Sequence, residues 1–315
     1  MRKIKIKAFT LIELLVVIAI IGILSALIVV GMNSTTQKAT IAKSQVFANS
    51  LKNSLMGNLV SEWKFDDGTG NSTTKDSWAS PFANTGTLGT AAVGDASEPT
   101  WLSSGCVSGN CLYFDGSNDY IDFGNNASLS MGTGDATISL WVKFDNDTPS
   151  HGEIIVKNGI ADTSYPGFQL RRLSGTSYLY GLFSDGTSRL EAPLSLSGSL
   201  GSNNWYNVVV VFDRDVNASI QAYLNGVKQS PVLNIITQQG NVQNSANVLI
   251  GAYDATTYQL AGKMDDVKLY NAAMPTSQIQ QNYFADLNKL LTNKGVDPSE
   301  YEQRIVELIL NYAEN

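Results

Sequence analysis

Histidine is nearly absent from this 315-residue chain, which has only His151, and cysteine is limited to Cys106 and Cys111. A single histidine, in a DTPSHGE stretch without a nucleophile at useful spacing, argues against hydrolytic triads and histidine-rich metal centres. Basic residues are in deficit, with 21 Lys and Arg against 28 Asp and Glu and a formal charge of −7. That balance argues against nucleic acid as a partner. Glutamate is also scarce through the middle of the chain, where it occurs at Glu62, Glu98, Glu153 and Glu191. None of these alternates along a strand with another acid, so the paired carboxyls that glycoside hydrolysis needs have no obvious carrier.

Gly, Asn, Ser and Thr are abundant, and 43% of residues are hydrophobic. This composition suits an all-β extracellular domain with many turns. An even cysteine count outside the cytoplasm points to a Cys106–Cys111 disulfide. Closing so short a loop contributes roughly 2 kcal/mol in the chain-entropy model. A metal site would want more ligands nearby, and free thiols are the plain alternative.

The longest hydrophobic run lies at the start. Arg2, Lys3, Lys5 and Lys7 lead into Ala8-Phe9, and from Leu14 to Met32 there are nineteen residues without a charge. As a helix this run is about 28 Å long, enough to cross a bilayer core. The basic leader favours the cytoplasmic side, which puts everything after Met32 outside. The run exceeds the 7–15 apolar residues of a cleaved secretory signal and no A-x-A site follows it. A plain signal anchor accounts for the length but not for Glu13, an acid whose burial in lipid costs roughly 2.5–3.5 kcal/mol at a helix centre.

The segment KAFTLIELLVVIAIIG resembles the class III signal of type IV pilins and pseudopilins. The resemblance implies a cut between Ala8 and Phe9 by a prepilin peptidase, methylation of the new amine, and assembly through Glu13 facing a neighbour's terminal amine. Ala8 stands where that family usually has Gly; both are small. The implied organisation is a leader at 1–8 and a pilin-like helix at 9–60 with its transmembrane segment at 9–32. The cytoplasmic membrane is then the expected location, with a single pass and the rest of the chain outside it, or a pilus at the cell surface.

From Ser61 the periodicity changes to short alternating runs. In Thr137–Phe144, Ile138, Leu140, Val142 and Phe144 fall on one face. Trp205–Phe212 is nearly all apolar, as for a central strand. Asn225-Gly226 between two such runs is a hairpin signal. Further runs are Tyr120–Phe123, Glu153–Lys157, Phe168–Leu173, Tyr178–Phe183, Val248–Ala252 and Met264–Tyr270. Many short strands without intervening helices predict a sandwich or jelly roll.

The ordered landmarks WKFDDGTG, KDSWASPFANTGTL, CLYFDGSNDYIDFG, ATISLWVKF, NNWYNVVVVFD, AYLNGV and LAGKMDDVKLYNAAMPTSQI resemble a laminin G-like domain of the concanavalin A-like lectin/glucanase superfamily, over 61–275. The E-x-D-x-x-E strand of the glucanase relatives is missing, so no enzyme is expected. The resemblance implies carbohydrate binding as the common activity, although many members bind protein or only build scaffolds. It also implies a structural calcium between Asp76 in an early loop and Asp265 on the last strand; turn capping is the plain alternative for both acids. Arg171, Arg172, Tyr178 and Tyr180 suit a sugar site, or ordinary sheet packing.

Helix returns over 276–315. Ile279, Tyr283, Leu287 and Leu290/Leu291 share a face, and Asp297-Pro298-Ser299-Glu300 reads as a helix start. Tyr301, Ile305, Leu308 and Tyr312 form the next stripe. The whole reads as a mainly β protein with α segments: a pilin-like transmembrane helix, a jelly roll, then C-terminal helices. The expected function is a prepilin-like subunit displaying a non-catalytic carbohydrate- or protein-binding domain. The alternative is a membrane-anchored lectin-like protein that does not polymerise. Expected partners are the prepilin peptidase, other pilin subunits, the lipid bilayer, and surface glycans or extracellular proteins.

Overall fold

The computed structural model describes residues 57–78, 84–90, 92, 94–145, 152–158, 165–173, 178–194, 200–215, 218–254 and 257–313. Ala8, Phe9, Glu13, the 9–32 span and His151 lie outside the described residues. The described residues belong to one compact unit, Leu55–Asn315.

The strands in chain order are β1 (Leu59–Trp63), β2 (Thr73–Thr74), β3 (Gly86–Leu88), β4 (Thr100–Leu102), β5 (Cys111–Asp115), β6 (Ile121–Asp122), β7 (Ala136–Phe144), β8 (Gly152–Asn158) and β9 (Gly167–Arg172). They continue as β10 (Leu179–Ser184), β11 (Arg189–Pro193), β12 (Trp205–Asp213), β13 (Ser219–Leu224), β14 (Val227–Lys228), β15 (Leu233–Asn234), β16 (Leu249–Ile250) and β17 (Ala261–Tyr270). Two helices follow, α1 (Thr276–Thr292) and α2 (Pro298–Ala313).

The strands form two antiparallel sheets. A nine-stranded sheet runs β14-β13-β12-β7-β17-β5-β4, with β1 joining β17 and β15 joining β13. An eight-stranded sheet runs β11-β10-β9-β8-β16-β6-β3-β2. The expected sandwich is present, and its core is filled by the alternation read in β7: Ile138, Leu140, Val142 and Phe144 all point between the sheets.

The apolar run of β12 has a physical cause. Val208, Val210 and Phe212 enter the sandwich core, while Val209 and Val211 pack on the other face with Tyr223, Tyr270, Met274 and Ile279. A strand buried on both faces has no solvent side on which to alternate. The hairpin at Asn225-Gly226 has both residues at positive φ, 52° and 75°. That is the pair of left-handed conformations a type I′ turn demands.

The helices close the outer face of the nine-stranded sheet. Tyr283, Leu287 and Leu290 of α1 and Leu308 of α2 are buried against Trp141, Trp205 and the Cys106–Cys111 loop. Trp141 and Tyr283 stack with ring centroids 5.8 Å apart. Fully burying each aliphatic side chain in this layer contributes roughly 1.5–3 kcal/mol. The Asp297 Oδ1 accepts the Glu300 N–H at 2.9 Å and closes the first turn of α2.

Candidate ligand-binding face

The helices cover one sheet; the outer face of the eight-stranded sheet is partly exposed toward its two ends, with Val156, Gln169 and Leu182 buried between them. Residues opposite one another in an antiparallel ladder share a face. One such row crosses the whole sheet: Thr73, Thr87, Asp122, Leu249, Val156, Gln169, Leu182 and Glu191. Their neighbours Ile121, Ile250, Ile155, Leu170 and Phe183 point inward to the core.

At one end of the row lies a groove of about 380 Å³, lined by Thr85, Thr87, Thr90, Asp122, Gly124 and Asn247 among others. Asp122 is held on both oxygens. Its Oδ1 accepts the Gly124 N–H at 2.7 Å and its Oδ2 accepts from Asn247 Nδ2 at 2.8 Å. Behind the groove, the buried Lys157 Nζ donates to Asn125 Oδ1 at 2.6 Å and to the Ala246 carbonyl at 2.8 Å. Burial without a carboxylate partner lowers its pKa to about 8.

The other end is charged and aromatic. Arg171 and Arg189 both pair with Glu191. The Arg171 guanidinium lies 5.4 Å from the centroid of the Tyr258 ring, and Tyr253 meets Tyr258 edge-on at 6.0 Å. Tyr180 sits opposite Arg171 in the ladder. On the other side of Arg171 is Glu153, fully buried, whose two carboxyl oxygens have no hydrogen-bond partner. Burial pushes its pKa well above the ordinary value, and the nearby Arg171 only partly opposes this.

Of the four residues suggested for a sugar site, Arg171 and Tyr180 are on this face and Tyr178 is exposed just before β10. Arg172 is not. Alternation turns it inward, where it is fully buried, lies 4.4 Å from the Phe144 ring centroid and donates to the Leu200 carbonyl at 2.7 Å.

Cys106 and Cys111 are joined by a disulfide. Their loop is a junction: the Val107 and Ser108 N–H groups donate to Asp265 Oδ2 at 2.8 and 3.1 Å, Trp205 Nε1 donates to the Gly105 carbonyl, and Asn293 Nδ2 to the Val107 carbonyl. Asp265 is fully buried. Desolvation and the neighbouring Asp266 raise its pKa well above the ordinary value. Burial also raises Asp266, although Lys268 opposes it.

Asp76 works elsewhere. Its Oδ1 accepts the N–H groups of Glu62 and Trp78, each at 3.0 Å, and its Oδ2 accepts that of Asn84 at 3.2 Å. Asp76 and Asp265 therefore share none of these partners, and backbone amides occupy both oxygens of one and one oxygen of the other. Each of these oxygens keeps an acceptor site, and Asp265 Oδ1 is buried without a hydrogen-bond partner.

One acidic cluster escaped the sequence reading. The carboxylates of Asp135, Asp213 and Asp215 lie within 4.8 Å of one another, with Asp135 Oδ1 accepting the Arg214 N–H at 2.8 Å. The alternation Asp213-Arg214-Asp215 was its sequence signal. No helix among the described residues is long and apolar enough to cross a membrane.

Comparison with known proteins adds two family matches. The model described as the concanavalin A-like lectin/glucanases superfamily matches residues 115–280. The prokaryotic N-terminal methylation motif matches residues 4–29. Among solved structures, the binding domain of Paraclostridial Mosquitocidal Protein 1 superposes with a TM-score of 0.56 at 15% identity, over 74% of this chain and 53% of that one. The botulinum neurotoxin serotype D ligand binding domain in complex with N-acetylneuraminic acid gives 0.56 at 14%, over 75% and 52%. The serotype G binding domain gives 0.53 at 14%, over 73% and 51%. The chain thus spans about half the length of these structures and shares their fold. No curated protein matches it.

Proposed function

The chain belongs to the concanavalin A-like lectin/glucanases superfamily and carries a prepilin methylation motif, and from these premises we propose that it is a prepilin-like subunit of a type IV pilus or pseudopilus that displays a non-catalytic binding domain. The prepilin peptidase cuts between Ala8 and Phe9. The 9–32 segment sits in the cytoplasmic membrane before assembly, and Glu13 pairs with the terminal amine of a neighbouring subunit. The domain after it is carried outside the cell.

The observation that carries this reading is the pairing of that motif with a sandwich whose second sheet carries polar and charged side chains at the two ends of its outer face, Thr87 and Asp122 at one and Arg171 and Glu191 at the other. An anchor needs no such motif, and a scaffold needs no such face. The face suits surface glycans or extracellular proteins. One structural neighbour was solved with N-acetylneuraminic acid, which supports a glycan-binding role for this face. For Asp76 and Asp265 we propose amide-holding structural roles in place of calcium ligation.

Two experiments test it. Intact mass and amino-terminal sequencing of the mature protein should find a chain that begins at Phe9. Shearing the cells should release it in filaments. The alternative, an anchored lectin-like protein that does not polymerise, leaves it in the membrane fraction.

A further inference from the structure

The groove beside Asp122 is more selective than the face around it. Asp122 is the one ionisable side chain among its lining residues, and no Lys or Arg lines it. Each Asp122 oxygen already accepts one protein donor, from Gly124 N–H at 2.7 Å or Asn247 Nδ2 at 2.8 Å. A carboxylate has about four acceptor sites, so both oxygens keep capacity for a ligand's donors while their orientation is fixed. Asn247 adds a second amide hydrogen and its carbonyl, and the Thr85 and Thr87 hydroxyls serve as donor or acceptor.

Lys157, the cation behind the groove, is turned away from it. Lys157 is buried, and its Nζ is engaged by Asn125 Oδ1 and the Ala246 carbonyl. Those contacts tie together the two segments that flank Asp122, the one after Gly124 and the one before Asn247. Lys157 is thus a positioning residue for the groove and supplies it with no charge.

We infer that this groove binds a neutral, hexose-sized polyol, with two adjacent hydroxyls donating to the Asp122 carboxylate. The inference rests on the eight-stranded face being the ligand-binding face. An acidic sugar placed here meets Asp122 as a like charge with no compensating cation, which disfavours it. The groove volume, about 380 Å³, is in the range of small-ligand sites.

The test is a titration of the full chain in detergent, followed by NMR of the ligand. The probes are methyl glucoside, methyl mannoside and methyl galactoside, with N-acetylneuraminic acid as the acidic counterpart. At least one neutral probe should bind with a millimolar Kd, as expected for so few atoms. Asp122→Asn keeps an acceptor for Gly124 but replaces the other oxygen with a donor that opposes Asn247; it should weaken binding about tenfold or more. Thr87→Lys fills the half-buried groove floor from a different strand and should do the same if Asp122→Asn misfolds. Lys157→Met should weaken binding with no change in the preference among probes, whereas Lys228→Gln, an exposed lysine on β14 of the other sheet, should leave it unchanged. Binding of N-acetylneuraminic acid alone, lost in Arg171→Gln and kept in Asp122→Asn, overturns the groove assignment and leaves the binding-face reading standing. Binding of a neutral probe that survives both Asp122→Asn and Thr87→Lys also overturns it. No binding of any probe overturns it as well, and the binding-face reading then stands or falls on protein ligands.

Discussion

Replacing Glu153 by Gln should stabilise the protein, and the gain should grow with pH. Glu153 is 0% exposed, and neither carboxyl oxygen has a hydrogen-bond partner. Its cross-strand neighbour Arg171 is engaged by Glu191. In the unfolded chain the carboxyl titrates near its ordinary value of 4.5, whereas burial raises it well above that in the folded chain. Between those two values the folded chain holds a proton that the unfolded chain has lost. Stability therefore falls as pH rises through that window, and the penalty is absent below it. Gln keeps the shape and cannot ionise. The two proteins should melt alike near pH 4.5 and diverge at pH 8. Each pH unit between those two values is worth about 1.4 kcal/mol, which corresponds to roughly 3–6 °C in Tm per unit for a domain of this size. Differential scanning calorimetry across that range measures it. A variant less stable than wild type at pH 8 would refute the reasoning, because it would mean that Glu153 is ionised and usefully paired with Arg171.

Asp265→Ala leaves the buried Val107 and half-buried Ser108 N–H groups without their acceptor and should cost about 1–3 kcal/mol; a melting curve that does not shift would contradict the structural role. A chelator should leave the wild-type melting temperature unchanged, and a drop of several degrees that Asp265→Ala abolishes would restore calcium to that site. Reducing the Cys106–Cys111 disulfide should speed hydrogen exchange in α1 before β7 or β12, since the loop holds α1 through Asn293; simultaneous loss of protection would mean that the loop is no separate latch. Glu13→Gln should keep the melting temperature of the sandwich and reduce incorporation into filaments, and normal incorporation would refute the pairing with a neighbour's amine.

Much of the fold was legible because it depends on local periodicity. The alternation of β7, the doubly apolar β12, the Asn225-Gly226 turn and the Ile279-Tyr283-Leu287-Leu290 stripe all appear where the sequence implied them. The destination of the stripe was harder to read. Its signal was Trp141, an aromatic residue at an outward position of an alternating strand, which called for a cover that only the folded chain identifies as α1. The site residues were less legible, since their partners are remote in sequence. Asp265 meets the backbone of residues 107 and 108, far away in sequence, and Asp122 acquires its groove from Thr87 and Asn247 elsewhere in the chain. Arg171 and Arg172 look equivalent in sequence, yet strand alternation sends one to the open face and the other to the core.

The central claim is that this chain is processed and built into a fibre with its sandwich displayed. The most direct measurement is mass spectrometry of filaments sheared from cells with an active prepilin peptidase. The account predicts a filament-borne chain that starts at Phe9 with a methylated amino terminus. A chain that keeps Met1 and is found only in the membrane fraction would contradict it.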